Sequence, residues 1–563
     1  MGWKDGWQPD LAPGHVGLNA LEDIRDFIWE EGYTLRRRGG VERVTTSVSD
    51  LDQAQQCHIR NVTVATSLSA QPSKTQEVIY HNDDDGEVWY ETLGNLLEQE
   101  RDSTGSDLSY SGQSMGEWGS GGSNYFRTFN LNSIVFKEFI YITGLRFKGY
   151  SSTSTIETHN GLAAGASKTI KYDVLNDTWT RPTVHALAGA TSGFVTARCA
   201  IAEYDRIFVA NCYNQGVYRF PSRIYWSDAG TAETFQATSF IDVGMDDGGE
   251  ITALVTTGDS IIIFKDHQTY MLQGTDEDTF SLHNINPRLG VKSSNAAIEH
   301  RGKVYFFDDS EGLMMYDGAN FTNISKNINK FMLETTTYNR EGDFRVNVTS
   351  HGDLIYVSIP IGTGIVDFPA RTFVWDTKLE VWTQHFRGIP DELMMFQTDH
   401  TLTGTSLDGT GEAYFSSPDN EIGLFRWDGR NSEDELVAGD ATVAAQITTG
   451  WITPQEMGNR HRLRRLDILT GATSEGDVNV TLFRDFNSTN AWQTATFDPD
   501  GALDAWHSQD QSHDPNGMWV WLQLNLLCNQ GTNLVSNLFG YQMSISSRPY
   551  KRGVQTGLNI VPV

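Results

Sequence analysis

An aromatic residue followed directly by aspartate recurs along this chain at long and fairly even intervals. The pairs are Tyr172-Asp173, Tyr316-Asp317, Trp375-Asp376 and Trp427-Asp428. The later three lie roughly 50 to 60 residues apart, which is the length of one β-propeller blade, and the first interval holds about three such lengths. The spacing predicts a repeated sheet unit, with blades near Trp226 and Tyr270 that have lost the aspartate.

Both members of the pair have a physical role in such a unit. The aromatic ring covers the face of the neighbouring blade, and the aspartate accepts hydrogen bonds from the backbone amides of the tight turn that follows. Two pairs are followed by a further tryptophan, Trp179 and Trp382, in a pattern similar to that of kelch-type blades. A row of ordinary β-sandwich domains would give similar spacing and is the alternative architecture.

From about residue 41 onward, short apolar runs follow polar turns, as expected of strands in antiparallel hairpins. The clearest runs are Ile134-Val135-Phe136, Phe139-Ile140-Tyr141-Ile142, Arg206-Ile207-Phe208-Val209, Ser260-Ile261-Ile262-Ile263-Phe264, Lys303-Val304-Tyr305-Phe306-Phe307 and Leu354-Ile355-Tyr356-Val357-Ser358-Ile359. The 53 glycines and 11% aromatic residues also favour strands and turns over long helices. We therefore expect an all-β fold that contains a β-propeller of about six or seven blades.

Changes in composition divide the chain into regions. Residues 1–40 form an N-terminal arm, and 41–430 form the propeller, with a Gly- and Ser-rich loop or insertion near 103–123. An acidic, polar stretch near 431–440 marks a boundary. Longer alternating strands over 441–550 then predict a C-terminal β-sandwich or jelly-roll domain, and 551–563 form a tail.

Two basic clusters stand out in a chain with 72 acidic and 42 basic residues and a net charge of -30. In the arm, Leu21, Ile24, Phe27 and Ile28 fall near one face of a short amphipathic helix, ahead of the arginine triplet. The candidate assembly contacts are Arg36, Arg37, Arg38, Arg462, Arg464 and Arg465. A solvated basic turn is the alternative for the triplet, but in so acidic a chain contacts between subunits are favoured over a DNA grip.

The sequence offers little sign of enzymatic or metal chemistry. It contains no His-Glu-x-x-His or Gly-x4-Gly-Lys-Ser/Thr motif, although paired carboxylates of a glycoside hydrolase stay open. Cys57, Cys199, Cys212 and Cys528 are scattered, which favours reduced thiols. The acidic turn from His81 to Glu87 favours a solvated hairpin over a calcium loop. We expect no catalytic residue, metal or cofactor.

Neither a signal segment nor a lipidation motif is seen at the N-terminus. Apolar runs such as residues 261–264 are far shorter than the roughly 20 residues that cross a bilayer. We expect no stable membrane insertion.

Four features together resemble the tail hub, nozzle and packaged-DNA stabilisation proteins of short-tailed bacteriophages (podoviruses). They are Leu35-Arg36-Arg37-Arg38-Gly39, Arg223-Ile224-Tyr225-Trp226-Ser227-Asp228, the turn-strand series over 250–320, and Ser547-Arg548-Pro549. The resemblance implies a propeller joined to a β-rich tail-tip domain, in a non-enzymatic virion protein assembled in the host cytoplasm. It also implies a ring of copies, expected to be a hexamer, below the portal and adaptor, which seals and then conducts double-stranded DNA without sequence-specific binding.

Two other classes of protein fit the same pattern. A propeller that binds or hydrolyses glycans would place acids and aromatic residues at one mouth of the propeller. A kelch-like interaction scaffold would be a monomer with an exposed partner surface. For the tail protein, the acidic charge has a specific use, because like charges keep a sliding duplex from sticking; solubility is the simpler explanation.

Overall fold

The computed structural model describes the chain in segments. These are residues 6–11, 20–31, 34–38, 41–43, 59–67, 75–82, 88–92, 98–99, 132–137, 139–143, 170–173, 178–180, 194–214, 218–236, 238–247, 249–334, 338, 346–360, 370–385, 394–396, 398–400, 414–416, 424–427, 433–434, 441–443, 445–453, 459–470, 478–497, 505–510, 519–528 and 537–549. The predicted insertion at 103–123 and the tail at 551–563 lie outside these residues.

In the described segments, seven antiparallel sheets follow one another along the chain as the blades of a β-propeller. Blades 1 to 3 comprise Ile59–Ser67, Thr75–Asn82, Val88–Thr92 and Glu98–Gln99; Asn132–Phe136, Phe139–Thr143, Ile170–Asp173 and Thr178–Thr180; and Phe194–Glu203, Arg206–Asn214, Tyr218–Trp226 and Phe240–Asp242. Blades 4 to 6 comprise Ile251–Thr257, Ser260–Lys265, Thr269–Gln273 and Ser281–Asn286; Ala297–His300, Lys303–Asp308, Gly312–Tyr316 and Phe321–Asn323; and Asn347–His351, Leu354–Pro360, Ala370–Asp376 and Val381–His385. Blade 7 comprises Met394–Phe396, Tyr414–Ser416, Leu424–Trp427 and, from the N-terminal region, Val41–Arg43.

The blades form a closed ring. The first strand of each blade contacts the first strand of the next, including blade 7 with blade 1. Two strands stabilise the closed ring by pairing with a blade at the other end of the propeller sequence. Val41–Arg43 pairs with the third strand of blade 7, and Thr398–His400 pairs in parallel with the first strand of blade 1. Short helical turns lie at Met245–Asp247 and Asn329–Leu333, in connections between blades.

The recurring aromatic-aspartate pairs mark the end of the third strand of their blades, as their spacing predicts. Asp317 Oδ1 accepts hydrogen bonds from Ala319 N and Asn320 N at 2.9 and 2.7 Å. Asp376 Oδ1 accepts bonds from Lys378 N and Leu379 N at 2.8 and 2.9 Å. The turn-capping role predicted for these aspartates is therefore confirmed.

The aromatic residues lie in the third strands of their blades, and the ring contact of Trp375 is with its own blade. Trp375 lies directly opposite Trp382 on the fourth strand of blade 6, with ring centroids 5.1 Å apart. Trp226 ends the third strand of blade 3, and Tyr270 lies in the third strand of blade 4, so these two blades keep the aromatic residue without the aspartate.

Beyond the propeller, a short hairpin of Glu433–Asp434 and Ala441–Thr442 leads into a β-sandwich of two sheets. Sheet A comprises Gly6–Trp7, Ala20–Arg25, Ala445–Thr449, Leu522–Cys528, Val478–Arg484 and Gln493–Phe497. Sheet B comprises Phe27–Glu30, Thr34–Arg37, Asn537–Pro549, Asn459–Thr470 and Ala505–Asp510. Alternating apolar residues such as Val480, Leu482, Leu466 and Ile468 form the core between the sheets.

The N-terminal region contributes strands to both sheets of the sandwich, and the prediction of an amphipathic helix there is wrong. Ala20–Arg25 pairs antiparallel with Ala445–Thr449 in sheet A. The hairpin of Phe27–Glu30 and Thr34–Arg37 joins sheet B through pairing with Asn537–Pro549. Residues 20–37 thus supply strands to both sheets of the sandwich and do not form a separate arm.

This region also joins the sandwich to the propeller. Arg25 lies beside Gln384 in a parallel pairing, so that blade 6 and sheet A form one sheet of ten strands. Trp29 Nε1 donates to Trp382 O at 3.1 Å, and Trp7 stacks on Phe373 with ring centroids 6.0 Å apart. Backbone and aromatic contacts therefore fix the two units to each other.

Candidate functional site

The arginine triplet is divided by the alternation of its strand. Leu35 and Arg37 point into the sandwich, whereas Arg36 points outward. Arg36 Nε lies 2.8 Å from Glu30 Oε1 across the hairpin, in an ion pair that lacks hydrogen-bond geometry. Its side chain is 33% exposed, so Arg36 alone of the three keeps access to solvent.

The side chains of Arg37 and Arg38 are buried in the interior of the protein. Arg37 is 1% exposed, and its Nη1 donates to Val443 O at 3.4 Å. Arg38 is fully buried, and its Nε donates to Asp26 Oδ1 at 2.5 Å. Their burial removes both residues from the predicted set of contacts between subunits, because a side chain enclosed by its own chain offers no surface to a partner.

The Asp26–Arg38 pair lies where three segments meet. The backbone N–H of Arg38 donates to Asp26 O, and that of Asp26 donates to Gln384 O in blade 6, both at 2.8 Å. His385, the next residue in blade 6, is buried, and its Nε2 lies 3.3 Å from Phe27 O. Burial, together with the charge of Arg38, lowers the pKa of His385 to about 3, so His385 is neutral at physiological pH.

The second basic cluster forms an outward row on sheet B. Arg460, Arg462 and Arg464 alternate with the buried His461 and Leu463, and successive arginines are about 7 Å apart along the strand. Arg464 Nε donates to Ser546 Oγ at 3.1 Å. The structure thus brings two of the predicted residues, Arg462 and Arg464, onto one face, together with Arg460.

Arg465 also reaches the surface because the strand is irregular at this point. The register against Asn537–Pro549 shifts between Leu463 and Arg465, as at a β-bulge, and both Arg464 and Arg465 are exposed. Arg465 Nε donates to Asp467 Oδ1 at 2.6 Å. Sequence reasoning missed Arg460, although its alternation with Arg462 and Arg464 was visible in the sequence.

Arg36 does not belong to this row. It lies opposite Asn537, at the start of the strand whose later residue Ser546 lies opposite Arg462. Asn537 and Ser546 are nine positions apart on an extended strand, which is about 30 Å. The two predicted clusters therefore share a sheet but form separate surfaces.

Charged side chains also link blades 3, 4 and 5 near the inner strands of the propeller. Arg198, which is 4% exposed, pairs with Glu250 and donates from Nη2 to Lys292 O at 2.7 Å. Lys292 Nζ in turn lies 2.9 Å from Asp309 Oδ2. Each cation here has an acidic partner, and these ion pairs stabilise the contacts between neighbouring blades.

A buried lysine makes similar contacts between blades 3 and 4. Lys265 Nζ donates to Val243 O and Gly244 O at 3.0 and 2.9 Å and pairs with Asp247. Burial raises the pKa of Asp247, but hydrogen bonds from Lys265, Tyr270 and the backbone outweigh it and lower the pKa overall. The group carries matched charges and stabilises the contact between the blades.

Three of the four cysteines lie in described segments, where they are buried free thiols: Cys199, Cys212 and Cys528. Burial raises the pKa of Cys199 and of Cys528 to about 12, so neither is a reactive thiolate. Cys57, and residues 83–87 of the acidic turn, lie outside the described residues. Among the residues whose positions the structure describes, no group of three or more His, Cys, Asp or Glu side chains is placed to hold a metal ion.

In the same part of the chain, no helix has both the length and the apolar character needed to cross a membrane. Searches against protein-family models and against curated proteins give no match.

Several solved structures are similar in fold. YCF48 bound to D1 peptide has a TM-score of 0.35 at 7% identity, over 71% of this chain and 97% of its own. The β-propeller domain of the Trilobed protease from Pyrococcus furiosus, described as having an open velcro topology, has a TM-score of 0.32 at 8% identity, over 67% and 96%. An exo-β-1,3-galactanase from Phanerochaete chrysosporium has 0.22 at 10%, over 79% and 97%. Similarity at this level carries no information on activity.

Proposed function

We propose that this chain is a structural subunit of the tail of a short-tailed bacteriophage. Copies would assemble into a ring, a hexamer to match the tail, below the portal and adaptor. The ring would seal the genome in the particle and then conduct double-stranded DNA during ejection. The role is mechanical, and it needs no catalytic step and no cofactor.

The observation that carries the proposal is the arginine row on sheet B. Arg460, Arg462 and Arg464 present positive charge on one face of a chain whose net charge is -30. A basic face on a chain with 72 acidic residues is complementary to acidic surface on another copy. Such a contact joins two different surfaces, which is the type that closes into rings.

The junction between the propeller and the sandwich supports the mechanical part of the proposal. The ten-stranded sheet runs from blade 6 through Ala20–Arg25 into sheet A, so force on one unit is carried by backbone hydrogen bonds into the other. A subunit that must hold its shape while a duplex slides past gains from this continuity. The net charge of -30 would also repel the duplex and limit adhesion.

Charge reversal in the arginine row tests the proposal. We expect Arg462→Glu/Arg464→Glu to abolish ring formation, measured as mass by light scattering, and to reduce incorporation into particles. Arg301→Glu is the matched control, because Arg301 is an exposed arginine on the propeller, paired with Asp353. We also expect rings of the unmodified protein to weaken as salt is raised above about 0.15 M. Rings of unchanged mass and salt dependence in the double variant would refute the assignment.

A further inference from the structure

A turn in sheet A holds an exposed phenylalanine in a backbone conformation that such a residue rarely adopts. Asp485 and Phe486 have φ angles of 52° and 62°, and Asn487 N donates to Arg484 O at 3.0 Å across the turn. Two successive left-handed residues define a turn in which Asn and Gly are the usual occupants. A bulky aromatic residue is strained there, and strain of this kind is concentrated at functional sites.

Hydrogen bonds to a neighbouring segment hold the turn in place. Asp485 Oδ1 accepts hydrogen bonds from Val520 N at 2.8 Å and Trp521 N at 3.2 Å, and Asp485 N donates to Trp521 O at 2.9 Å. These three bonds fix the turn against residues 519–521. The orientation of Phe486 is therefore set by the protein before any ligand arrives.

Phe486 lies on a base of two tryptophans but keeps a free surface. Its ring centroid is 4.9 Å from that of Trp451 and 5.2 Å from that of Trp521. Trp451 is 5% exposed, whereas Phe486 is 47% exposed. The tryptophans support the phenylalanine ring and leave part of it open to solvent as a small, rigid aromatic platform.

The residues that follow the platform are exposed and uncharged. They are Asn487, Ser488, Thr489, Asn490 and Ala491. Asn487 Oδ1 accepts bonds from Thr489 N and Asn490 N at 3.3 and 3.2 Å, which orders the loop. Amide and hydroxyl groups both donate and accept hydrogen bonds. In a chain with 20% charged residues, this run favours a neutral, hydroxyl-rich ligand over a polyanion or a charged peptide.

We propose that Phe486 and the adjoining 487–491 loop form a binding site for a neutral saccharide. The C–H groups on one face of a sugar ring stack on the electron-rich face of the phenylalanine ring, and the sugar hydroxyls bond to the amides and hydroxyls of the loop. In the proposed tail protein, this site would contact glycans of the host surface. Phe486 lies on a turn of sheet A and the assembly arginines lie on sheet B, although Trp519, close to the supporting Trp521, pairs with His461 in the arginine strand. Sugar binding and ring mass are separate measurements, so either proposal can fail without the other.

The test titrates the full chain with neutral hexasaccharides of glucose, mannose, galactose and N-acetylglucosamine. Tryptophan fluorescence is the readout, since Trp451 and Trp521 contact Phe486. We expect saturable binding of at least one hexasaccharide and at least about tenfold weaker binding in Phe486→Asn. Asparagine adopts left-handed backbone readily, so this variant keeps the turn and its melting temperature within about 3 °C.

Met245→Asn is the control, because Met245 is a 65% exposed apolar residue on the propeller; its binding should equal that of the unmodified chain. Three results would overturn the proposal. They are the absence of a saturable response up to about 10 mM sugar, equal binding by Phe486→Asn, and binding to neutral phosphatidylcholine vesicles in place of every sugar.

Discussion

Arg38 and Asp26 form a buried ion pair at the point where the sandwich joins blade 6 of the propeller. The Nε to Oδ1 distance is 2.5 Å, and the side chains are 0% and 7% exposed. Asp26 has a φ of 58°, which breaks the strand and turns the chain from sheet A into sheet B. One residue thus changes the direction of the backbone and neutralises a buried cation.

Removing one partner of this pair should destabilise the protein strongly. Arg38→Met leaves the Asp26 carboxylate buried without its cation, and we expect a loss of about 3 to 5 kcal/mol in the free energy of unfolding. Arg36→Met is the matched control, because its partly exposed pair with Glu30 is worth less than about 1 kcal/mol. Urea denaturation measures both variants. Equal losses would show that the Asp26–Arg38 pair does not stabilise the junction.

The burial of His385 predicts a loss of stability in mild acid. The folded pKa of about 3 lies below the ordinary value of 6.5, so between these values the unfolded chain binds a proton that the folded chain does not. The contribution of His385 to the free energy of unfolding is at its maximum above pH 6.5. It falls by about 1.4 kcal/mol for each pH unit below 6.5.

Urea denaturation between about pH 4 and pH 7 tests this dependence. His385→Asn should remove this part of the slope, whereas His283→Gln, which changes an exposed histidine, should leave it in place. A slope that is the same in His385→Asn and in the unmodified chain would contradict the assignment to His385.

The hydrogen bonds that Asp376 accepts from the turn can be tested separately from the charge of its carboxylate. Asp376→Ala removes the oxygen that accepts hydrogen bonds from Lys378 N and Leu379 N, and we expect a loss of about 1 to 2 kcal/mol. Asp376→Asn keeps an acceptor oxygen in the same place and should cost less than about 0.5 kcal/mol. Thermal unfolding of the two variants distinguishes them. If both lose the same stability, then charge, and not the cap, is what Asp376 contributes.

The propeller could be predicted from sequence because each blade is built from neighbours along the chain. In blades 2 to 6, all four strands are consecutive, and the turn that Asp317 caps is complete within the following three residues. Local patterns are enough in such cases. The arginine row on sheet B was visible for the same reason, because its residues alternate within one strand.

The N-terminal region could not be predicted in this way, since its strands pair with residues more than 400 positions later. Two irregularities also disguised its period. The register shifts between Leu21 and Asp23, and Asp26 adopts the left-handed conformation. Each adds one residue to the alternation of a strand, so the buried Leu21, Ile24 and Phe27 fall three apart, which imitates one face of a helix.

Deletion of residues 1–40 tests how far the sandwich depends on this region. A separate N-terminal arm, as the sequence predicts for residues 1–40, could be removed without disturbing the rest of the fold. The structure gives a different expectation for the sandwich, because the deletion removes strands from both of its sheets. Val41–Arg43 would remain to close blade 7.

Hydrogen exchange followed by mass spectrometry can measure the two units separately. In the deletion variant, protection should fall in Ala445–Thr449, which loses its pairing with Ala20–Arg25, and at Asn537 and Leu538, which lose their pairing with Arg36 and Leu35. It should be kept in Ile251–Thr257 of blade 4. Ile24→Ala offers a milder test, since Ile24 is fully buried in the core and should cost about 2 to 5 kcal/mol, while Leu11→Ala, at a 42% exposed residue, should cost little. Full protection of both sandwich segments after the deletion would mean that the sandwich folds without its N-terminal strands.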